Sequence, residues 1–359
     1  MAAGMVETVL GPVPPAELGI TLPHEHLFLH IEGWEFPPRD EDEARLMAAP
    51  VSVDILPWLH RRALSNRDNC RIDDFDTVRG EVQDYRAAGG RTIVDLTIPD
   101  IGRSAELIRQ VSSQTGVHVV AGCGHYVDAA HPPDLKGMTA EAIAQVLEAE
   151  LTEGIGDTGI RPGVIGEVGT GNPITNGERK VLRAAALAHG RTGAPLSIHL
   201  FPAGGTAAEV LDVLQEAGVP PSAIVLGHLD GQDPIRTDLH LHLAARGAYI
   251  EYDMFGANWS NDDSRELNGP NGYWSPPPSD QQRVRAVREL FAAGFGDRVL
   301  ISHDVCTKIQ QAAWGGSGFA HIPRYMRPFF LANGFTNGEF EQMVAENPQR
   351  WLTWATPKP

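Results

Sequence analysis

Short runs of consecutive apolar residues alternate along the chain with longer stretches of helical periodicity. The apolar runs are rich in Val, Ile and Leu at consecutive positions, which is typical of parallel strands buried on both faces. The pattern predicts eight strands, over residues 22–28, 91–97, 118–124, 164–169, 196–200, 224–229, 248–254 and 299–304. Between them the helical period is clearest over residues 140–153, 177–192, 207–217, 234–246 and 280–293.

The order of these elements predicts a closed barrel. Eight strand–helix alternations, with no glycine-rich phosphate fingerprint after the first strand, favour an α/β fold of the (β/α)₈ TIM barrel type over a doubly wound open sheet. We interpret residues 1–359 as a single barrel domain, since barrels of this length are common. Two irregular segments, around 33–71 and around 256–278, are predicted as long loops on the face where barrel enzymes bind substrate.

Composition excludes two classes of partner. The formal net charge of −17 is the opposite of what a phosphate backbone attracts, so we expect no nucleic acid. No apolar run reaches the roughly 18 residues of a membrane span, and the N-terminus does not have the pattern of a signal peptide. Three cysteines argue against a disulfide framework. The sequence therefore predicts a cytoplasmic protein that acts on a small molecule.

Histidine and carboxylate side chains fall where predicted strands end, which is where barrel enzymes keep their catalytic groups. In TLPHEHLF, His24 and His26 occupy alternate strand positions and point into the barrel, while Glu25 points away. Two buried imidazoles are costly unless a ligand uses them, so the pair indicates metal binding. The alternative is a structural pair held by hydrogen bonds.

Further candidates follow on later strands. Glu167 interrupts the apolar run VIGEVGTG, and a buried carboxylate needs a metal or an arginine as its partner. His199 in LSIHL and His228 in IVLGHLD end consecutive strands, although each alone would fit a hydrogen-bonded core histidine. Asp304 in VLISHDVC ends strand eight, and its neighbour His303 points the other way by alternation. The order of these residues along the barrel is more specific than any one of them.

The types of ligand indicate the metal chemistry. Neutral imidazole and carboxylate, without a thiolate set, suit Zn²⁺ first, and also Mn²⁺, Fe²⁺, Co²⁺ or Ni²⁺. Five or six ligands exceed what one catalytic zinc takes from protein, so we predict two divalent metal ions per chain. Such a pair activates a bridging hydroxide and polarises a carbonyl or phosphoryl oxygen. Asp304, bound to one metal, is positioned to pass the proton to the leaving group.

These motifs, in this order, resemble the phosphotriesterase family of the amidohydrolase superfamily. The resemblance covers nearly the whole chain and is carried by LGPVPPAELGITLPHEHL, GCGHYVD, IGEVGTG, GHLDG, SHDVC and ENPQRWL. It implies a more buried metal held by His24, His26 and Asp304. It also implies a more exposed metal held by His199 and His228, and a homodimer.

The bridging position departs from the best-known family members, which carry a carboxylated lysine at the end of strand four. Glu167 stands there, and no lysine lies in or near that strand. A glutamate supplies the same two oxygens. The resemblance therefore implies the Glu-bridged branch of the family, which includes the phosphotriesterase homology and phosphotriesterase-related proteins.

Members of the family hydrolyse phosphotriesters, lactones, carboxylic esters and amides. Tyr126 in GCGHYVD matches a tyrosine near the metals of lactonase members, whereas Met254 stands about where those members carry an arginine. Lys308 is a candidate partner for a carboxylate or phosphate of the substrate, with a solvated loop lysine as the alternative. Trp274 and His321 lie in predicted loops on the same face and are weaker candidates.

We therefore predict a binuclear hydrolase that acts on a lactone or carboxylic ester first and on an amide second. One alternative is a phosphotriester hydrolase. Another is a mononuclear deaminase of the same superfamily, although such enzymes usually have no bridging carboxylate like Glu167. A third is a barrel that keeps its metals for stability or only binds a ligand. The complete ligand set with Asp304 favours the hydrolase.

Overall fold

The fold is a barrel of eight parallel strands surrounded by helices, as predicted. A computed structural model describes residues 3–31, 37–201, 205–260 and 277–357. The barrel strands, numbered β1 to β8 in chain order, are Ile20–Glu25, Gly90–Asp95, His118–Cys123, Val164–Gly169, Leu196–His199, Ile224–Leu226, Tyr249–Tyr252 and Val299–Ile301. Each strand pairs in parallel with the next one along the chain.

Polar contacts at one end of the barrel join the last strand back to the first. The Ser302 hydroxyl oxygen accepts from the His24 N–H at 3.1 Å and lies 2.8 Å from the His24 carbonyl oxygen. The Asp304 N–H donates to the same carbonyl oxygen at 3.3 Å. The seam between β1 and β8 therefore runs through residues of the candidate site.

In the described part of the chain, eight helices follow the barrel strands in turn. They are numbered α1 to α8 and span Phe75–Ala87, Ala105–Thr115, Ala140–Thr152, Asn176–Thr192, Ala207–Glu216, Thr237–Ala245, Asp280–Ala292 and Arg327–Ala332. The helices Asn337–Glu341 and Asn347–Leu352 follow α8. The five helices predicted from periodicity correspond to α3 through α7. Among the described residues, no helix has the length and apolar character needed to cross a membrane.

Alternate residues of the strands belong to two different apolar clusters. Val94, Val120, Val225 and Leu300 contribute to a smaller cluster inside the barrel. Their strand neighbours, such as Ile93, join the larger cluster between the strands and the helices. Burial on both faces explains why the strand sequences are almost continuously apolar.

The first predicted insertion carries structure of its own. It contains the helices Glu41–Ala48 and Leu56–Leu59, and Leu29–His30 pairs with Arg71–Ile72 where the chain leaves and rejoins the barrel. These helices have too few turns to show a clear sequence period, which is why the pattern did not predict them. Residues 33–36 of this segment, and 261–276 of the second, lie outside the described residues.

Candidate metal centre

The residues predicted as metal ligands come together at one end of the barrel. Glu167 lies in β4 and His199 ends β5, whereas His228 and Asp304 lie just beyond the ends of β6 and β8. The complete set is His24, His26, Glu167, His199, His228 and Asp304, and none of these residues is more than 7% exposed.

One carboxylate oxygen, Glu167 Oε1, lies at the centre of the group. It is 2.7 Å from His199 Nδ1, 3.3 Å from His228 Nε2 and 3.4 Å from His24 Nε2. A single oxygen therefore contacts histidines from β1, β5 and the end of β6.

An irregularity in β4 directs Glu167 into the barrel. Val164 belongs to the interior cluster, and strict alternation from Val164 would turn residue 167 outward. The pairing of β4 with β5 shifts its register between Ile165 and Val168. The shift changes the face on which the following side chain lies, so the carboxylate points inward.

Asp304 and the two histidines of β1 form the other side of the group. Asp304 Oδ1 is 3.3 Å from His26 Nε2 and 3.9 Å from His24 Nε2. The Thr97 hydroxyl oxygen is 2.9 Å from His26 Nδ1 and fixes the orientation of that ring. Both Nε2 atoms therefore face the carboxylates.

Two of these residues have a backbone conformation that only glycine adopts easily. His228 has a φ of 57° and Asp304 a φ of 49°, both in the left-handed region. The His228 N–H donates to Asp253 Oδ2 at 2.9 Å, and the Asp304 N–H donates to the His24 carbonyl oxygen. Left-handed residues of this kind cost on the order of 1–3 kcal/mol and cluster at functional sites.

Two carboxylates that the sequence analysis did not predict contact the Nδ1 atoms of the histidines. Glu251 lies in β7 and Asp253 directly follows it. Asp253 Oδ1 is 3.0 Å from His228 Nδ1, and Asp253 Oδ2 is 3.1 Å from His24 Nδ1. Glu251 Oε2 is 3.3 Å from His24 Nδ1. A carboxylate against Nδ1 fixes the ring and leaves Nε2 for a metal. The signal was present in the sequence, because Glu251 and Asp253 alternate with Tyr249, a residue of the interior cluster.

Opposing effects set the charges of the group. Burial raises the pKa of Glu167, but the neighbouring histidines, His199 first, outweigh burial and hold this pKa well below its usual range. Burial lowers the pKa of His199 and raises the pKa of Glu251 to about 7. Glu167 is therefore an anion, which is the form of a carboxylate that binds a metal.

A buried ion pair anchors the end of β7 that carries Asp253. Arg283 Nε donates to Asp230 Oδ2 at 2.5 Å, and both side chains are fully buried. The Asp230 carboxylate also accepts from the N–H groups of Asp253 and Met254, at 3.1 and 3.2 Å. Burial raises the pKa of Asp230 to about 6, although the guanidinium acts in the opposite direction.

Replacing Arg283 by methionine is expected to destabilise the fold strongly. The substitution leaves the Asp230 carboxylate buried without its counter-charge, which costs about 3–5 kcal/mol in comparable cases. Urea denaturation measures the change in the free energy of unfolding. Arg236→Met, which removes an exposed pair with Asp238, is the control and should have a much smaller effect. Equal effects of the two substitutions would contradict the structural role of Arg283.

The donor atoms of this group fit divalent cations. Within the described chain, His24 Nε2 is buried and has no hydrogen-bond partner. His228 Nε2 and His199 Nδ1 lie 2.8 Å apart, and both also face Glu167. Among the described residues, four groups of donor atoms lie within 4.8 Å of one another. Two of them share Glu167: His24, His26 and Glu167 form the first triad, and Glu167, His199 and His228 form the second. The other two groups are His24, His228 and Asp304, and His24, Glu251 and Asp253. Imidazole and carboxylate donors in this arrangement suit Zn²⁺ or a related ion.

Five of the six ligands, all but His24, form the floor of a cavity. Apolar side chains and one thiol from loops after the barrel strands form its wall, and these are Leu29, Ile31, Leu64, Ile101, Trp259 and Cys306. Leu64 comes from the first predicted insertion and Trp259 from the loop after β7. One described residue of each long segment therefore lies at the cavity.

The structure separates the two candidate substrate contacts. Tyr126 lines the cavity, and the centroid of its ring is 4.7 Å from that of His199. Lys308 does not line this cavity, since its Nζ lies 2.5 Å from Asp68 Oδ1 in the first insertion. The structure thus supports a substrate contact for Tyr126 and gives no support for one by Lys308.

The two weaker candidates do not add to the described pocket. His321 Nε2 is 2.8 Å from Asp280 Oδ2, and His321 is absent from the described cavity lining. Trp274 lies outside the described residues.

A family model now identifies the chain. The model of the phosphotriesterase family matches residues 4–352. This chain belongs to the phosphotriesterase family. The resemblance seen in the sequence is thus confirmed, and this phosphotriesterase-family protein is a metal-dependent hydrolase.

Individual relatives cover this phosphotriesterase-family chain almost completely. The N-acetyltaurine hydrolase of Danio rerio is 40% identical over 352 residues, which are 98% of each protein. The crystal structure of a resiniferatoxin-binding protein from Rhodobacter sphaeroides matches with a TM-score of 0.92 and 36% identity, covering 97% of this chain and 95% of that one. The phosphotriesterase homology protein from Escherichia coli, solved with phosphate in its active site, matches with a TM-score of 0.76 and 28% identity, covering 94% of this chain and 99% of that one.

Proposed function

We propose that this enzyme holds two divalent cations, zinc first, and hydrolyses the amide bond of small N-acyl compounds such as N-acetyltaurine. The observation that carries the proposal is the convergence of six buried imidazole and carboxylate groups, five of which line one cavity. The identity to the N-acetyltaurine hydrolase of Danio rerio supports an amide among the possible carbonyl substrates. The proposal therefore places the amide before the lactone or ester that the sequence favoured.

The two triads that share Glu167 support a division of the ligands between two cations, and Asp304 joins the first through its contact with His26. We assign His24, His26 and Asp304 to one cation, His199 and His228 to the other, and Glu167 to both. When bound, such a pair lowers the pKa of water between the ions and polarises the carbonyl oxygen of the substrate.

Asp304 is the residue placed to move the proton. Its carboxylate borders the cavity and lies beside His26, so it faces the position of the attacking water. An amide nitrogen leaves only after it is protonated, which requires a group that first accepts and then returns a proton. Asp304 performs both transfers in this proposal, and Tyr126, at the cavity wall beside His199, contacts the acyl group.

Replacing His199 by alanine is expected to reduce bound metal from about two ions per chain to about one. The substitution removes one of the two imidazoles of the second triad and leaves the first triad intact. Elemental analysis of the purified protein measures the metal content. The control is His240→Ala, since His240 is a buried histidine that contacts Tyr252 away from the cavity. A full metal content in His199→Ala would remove His199 from the ligand set.

A substrate panel tests the proposed reaction on zinc-loaded and manganese-loaded protein. N-acetyltaurine, N-acetyl-β-alanine and N-propylacetamide share the acetamide but carry a sulfonate, a carboxylate or no charge. Release of acetate from the first compound is the expected result, and comparison with the other two shows whether the anionic group is recognised. Turnover of a lactone, an aryl ester or paraoxon without any acetamide hydrolysis would contradict the proposal.

Hydrolysis of a lactone or carboxylic ester is the second candidate function. The apolar cavity wall, which includes Leu29 and Trp259, favours this function because it suits an acyl chain better than a charged group. The same panel, extended with lactones of increasing chain length, separates the two candidates. A rise in kcat/KM with chain length would favour the lactone.

We also infer a homodimer, on the resemblance to the family, and a cytoplasmic location. The location is supported by Cys70, Cys123 and Cys306, which form no disulfide with one another. Light scattering on the purified protein tests the oligomeric state.

A further inference from the structure

Glu25, the middle residue of the His-Glu-His motif, belongs to neither donor triad, although its side chain is fully buried. Its carboxylate faces the segment after β8 that carries Asp304. We propose that Glu25 is a positioning residue that holds Asp304 in its catalytic orientation. The inference rests on the proposed role of Asp304, and the experiments below distinguish failure of one from failure of the other.

The contacts of Glu25 lie on both sides of Asp304 along the chain. Glu25 Oε1 accepts from the His303 N–H at 3.0 Å and from His303 Nδ1 at 2.7 Å. Glu25 Oε2 accepts from the Val305 N–H at 3.0 Å. The Ser302 hydroxyl lies 2.8 Å from Glu25 Oε1 and shares its single proton between this oxygen and the His24 carbonyl. One carboxylate therefore fixes the backbone immediately before and immediately after residue 304.

This arrangement explains how an aspartate adopts a left-handed backbone at this position. The φ of 49° at Asp304 is unfavourable for any residue with a β-carbon. Residues 303 and 305 both direct their N–H groups at the same carboxylate, and the Asp304 N–H donates to His24. These bonds fix the peptides on both sides of Asp304, so its side chain faces His26.

His303 extends this connection to the C-terminal part of the chain. Its Nε2 accepts from the Ile322 N–H at 3.2 Å, which leaves the ring proton on Nδ1 for donation to Glu25. The tautomer is fixed by its two partners. His303 thus links Glu25 to the segment that leads into α8.

The first test is Glu25→Gln, which keeps the volume of the side chain. The amide places an NH₂ group against one of the backbone N–H donors, so the hydrogen bond on one side of Asp304 is lost. Because small misplacements of catalytic groups cost up to about 100-fold, we expect kcat per metal-loaded chain to fall roughly 10–100-fold while KM changes less than about threefold. Wild-type kcat in Glu25→Gln would overturn the proposal.

Glu81 offers a matched control. It is also a buried glutamate, and its Oε1 accepts from the Ala313 N–H at 2.9 Å, so it anchors the same segment further from Asp304. Glu81→Gln should lower the melting temperature and leave kcat per metal-loaded chain within about twofold, because surface and packing changes away from the reacting atoms act on stability. A loss of kcat equal to that of Glu25→Gln would show a general structural effect and overturn the proposal.

A double substitution separates the two claims. If Glu25 acts only through Asp304, Glu25→Gln combined with Asp304→Asn should have the same kcat as Asp304→Asn alone. Multiplied losses would overturn the role of Glu25 and leave that of Asp304 standing. Full turnover in Asp304→Asn alone would instead overturn the proposed function of Asp304, and the inference with it.

A measurement without turnover completes the test. In Co²⁺-substituted protein, displacement of Asp304 should change the visible absorption of the bound metal, whereas Glu81→Gln should leave it unchanged. An unchanged spectrum in Glu25→Gln would overturn the proposal.

If Glu25→Gln does not fold, His303→Ala removes one of the same contacts and should give a smaller loss of kcat. His303→Asn, which keeps a donor near the position of Nδ1, should restore part of that loss, and wild-type kcat in His303→Ala would overturn the proposal.

Discussion

Glu167→Gln is expected to reduce bound metal from about two ions per chain to fewer than one and to abolish turnover. The substitution removes the negative charge and one oxygen of the carboxylate whose Oε1 contacts His199, His228 and His24. Without the metals the pKa of the attacking water rises back towards that of bulk water, so turnover at neutral pH should fall more than roughly a thousandfold. Elemental analysis and acetate release measure the two effects.

The matched control is Glu178→Gln in α4. Glu178 is equally buried, but its carboxylate accepts from the N–H groups of Thr175 and Asp128 and caps the helix. This substitution should leave the metal content at about two ions per chain. Metal retention in Glu167→Gln would refute the shared-ligand role and would leave a carboxylate that serves only the fold.

Asp304→Asn is expected to reduce kcat by about 10²–10⁴-fold, the usual contribution of a proton-transfer group. The amide keeps an oxygen next to His26 but does not take up a proton from water. Because a leaving amine needs this proton more than a leaving phenolate does, the loss should be larger for an acetamide than for an activated aryl ester. Steady-state kinetics on the two substrates, with metal content checked on the same samples, measure the difference.

Asp280→Asn serves as the control for Asp304. Asp280 accepts from the Gly256 N–H and contacts His321, outside the described cavity lining. It should keep wild-type kcat on both substrates. Equal losses on acetamide and aryl ester in Asp304→Asn would argue that Asp304 only binds metal and transfers no proton.

Hydrophobic patterning predicted the barrel because its strands are buried on two faces and therefore read as apolar runs. It placed the ends of strands less well. β6 and β8 end at Leu226 and Ile301, before the residues of the site, since His228 and Asp304 leave the strand conformation for the left-handed region. A left-handed aspartate or histidine has no marker in a single sequence, so this feature was visible only in the structure.

The sequence predicted the candidate ligands more completely than the residues that orient them. Side-chain alternation predicted the inward position of His24 and His26, and from Tyr249 it would also have predicted those of Glu251 and Asp253. Glu167 faces inward only because of the register shift in β4, which alternation does not predict. Lys308 was a candidate from its sequence position alone, and its pairing with Asp68 joins residues 240 positions apart.

The cavity has a floor from strand ends and a wall from loops, and this division has a consequence for how the enzyme can change. The groups that carry out hydrolysis are tied to the barrel by buried contacts such as those of Asp253 and Glu25. The wall residues Leu64 and Trp259 take no part in those contacts. Substitutions in the wall can therefore change the substrate specificity while the reaction stays the same. Close sequence identity between two such enzymes predicts a shared reaction more securely than a shared substrate.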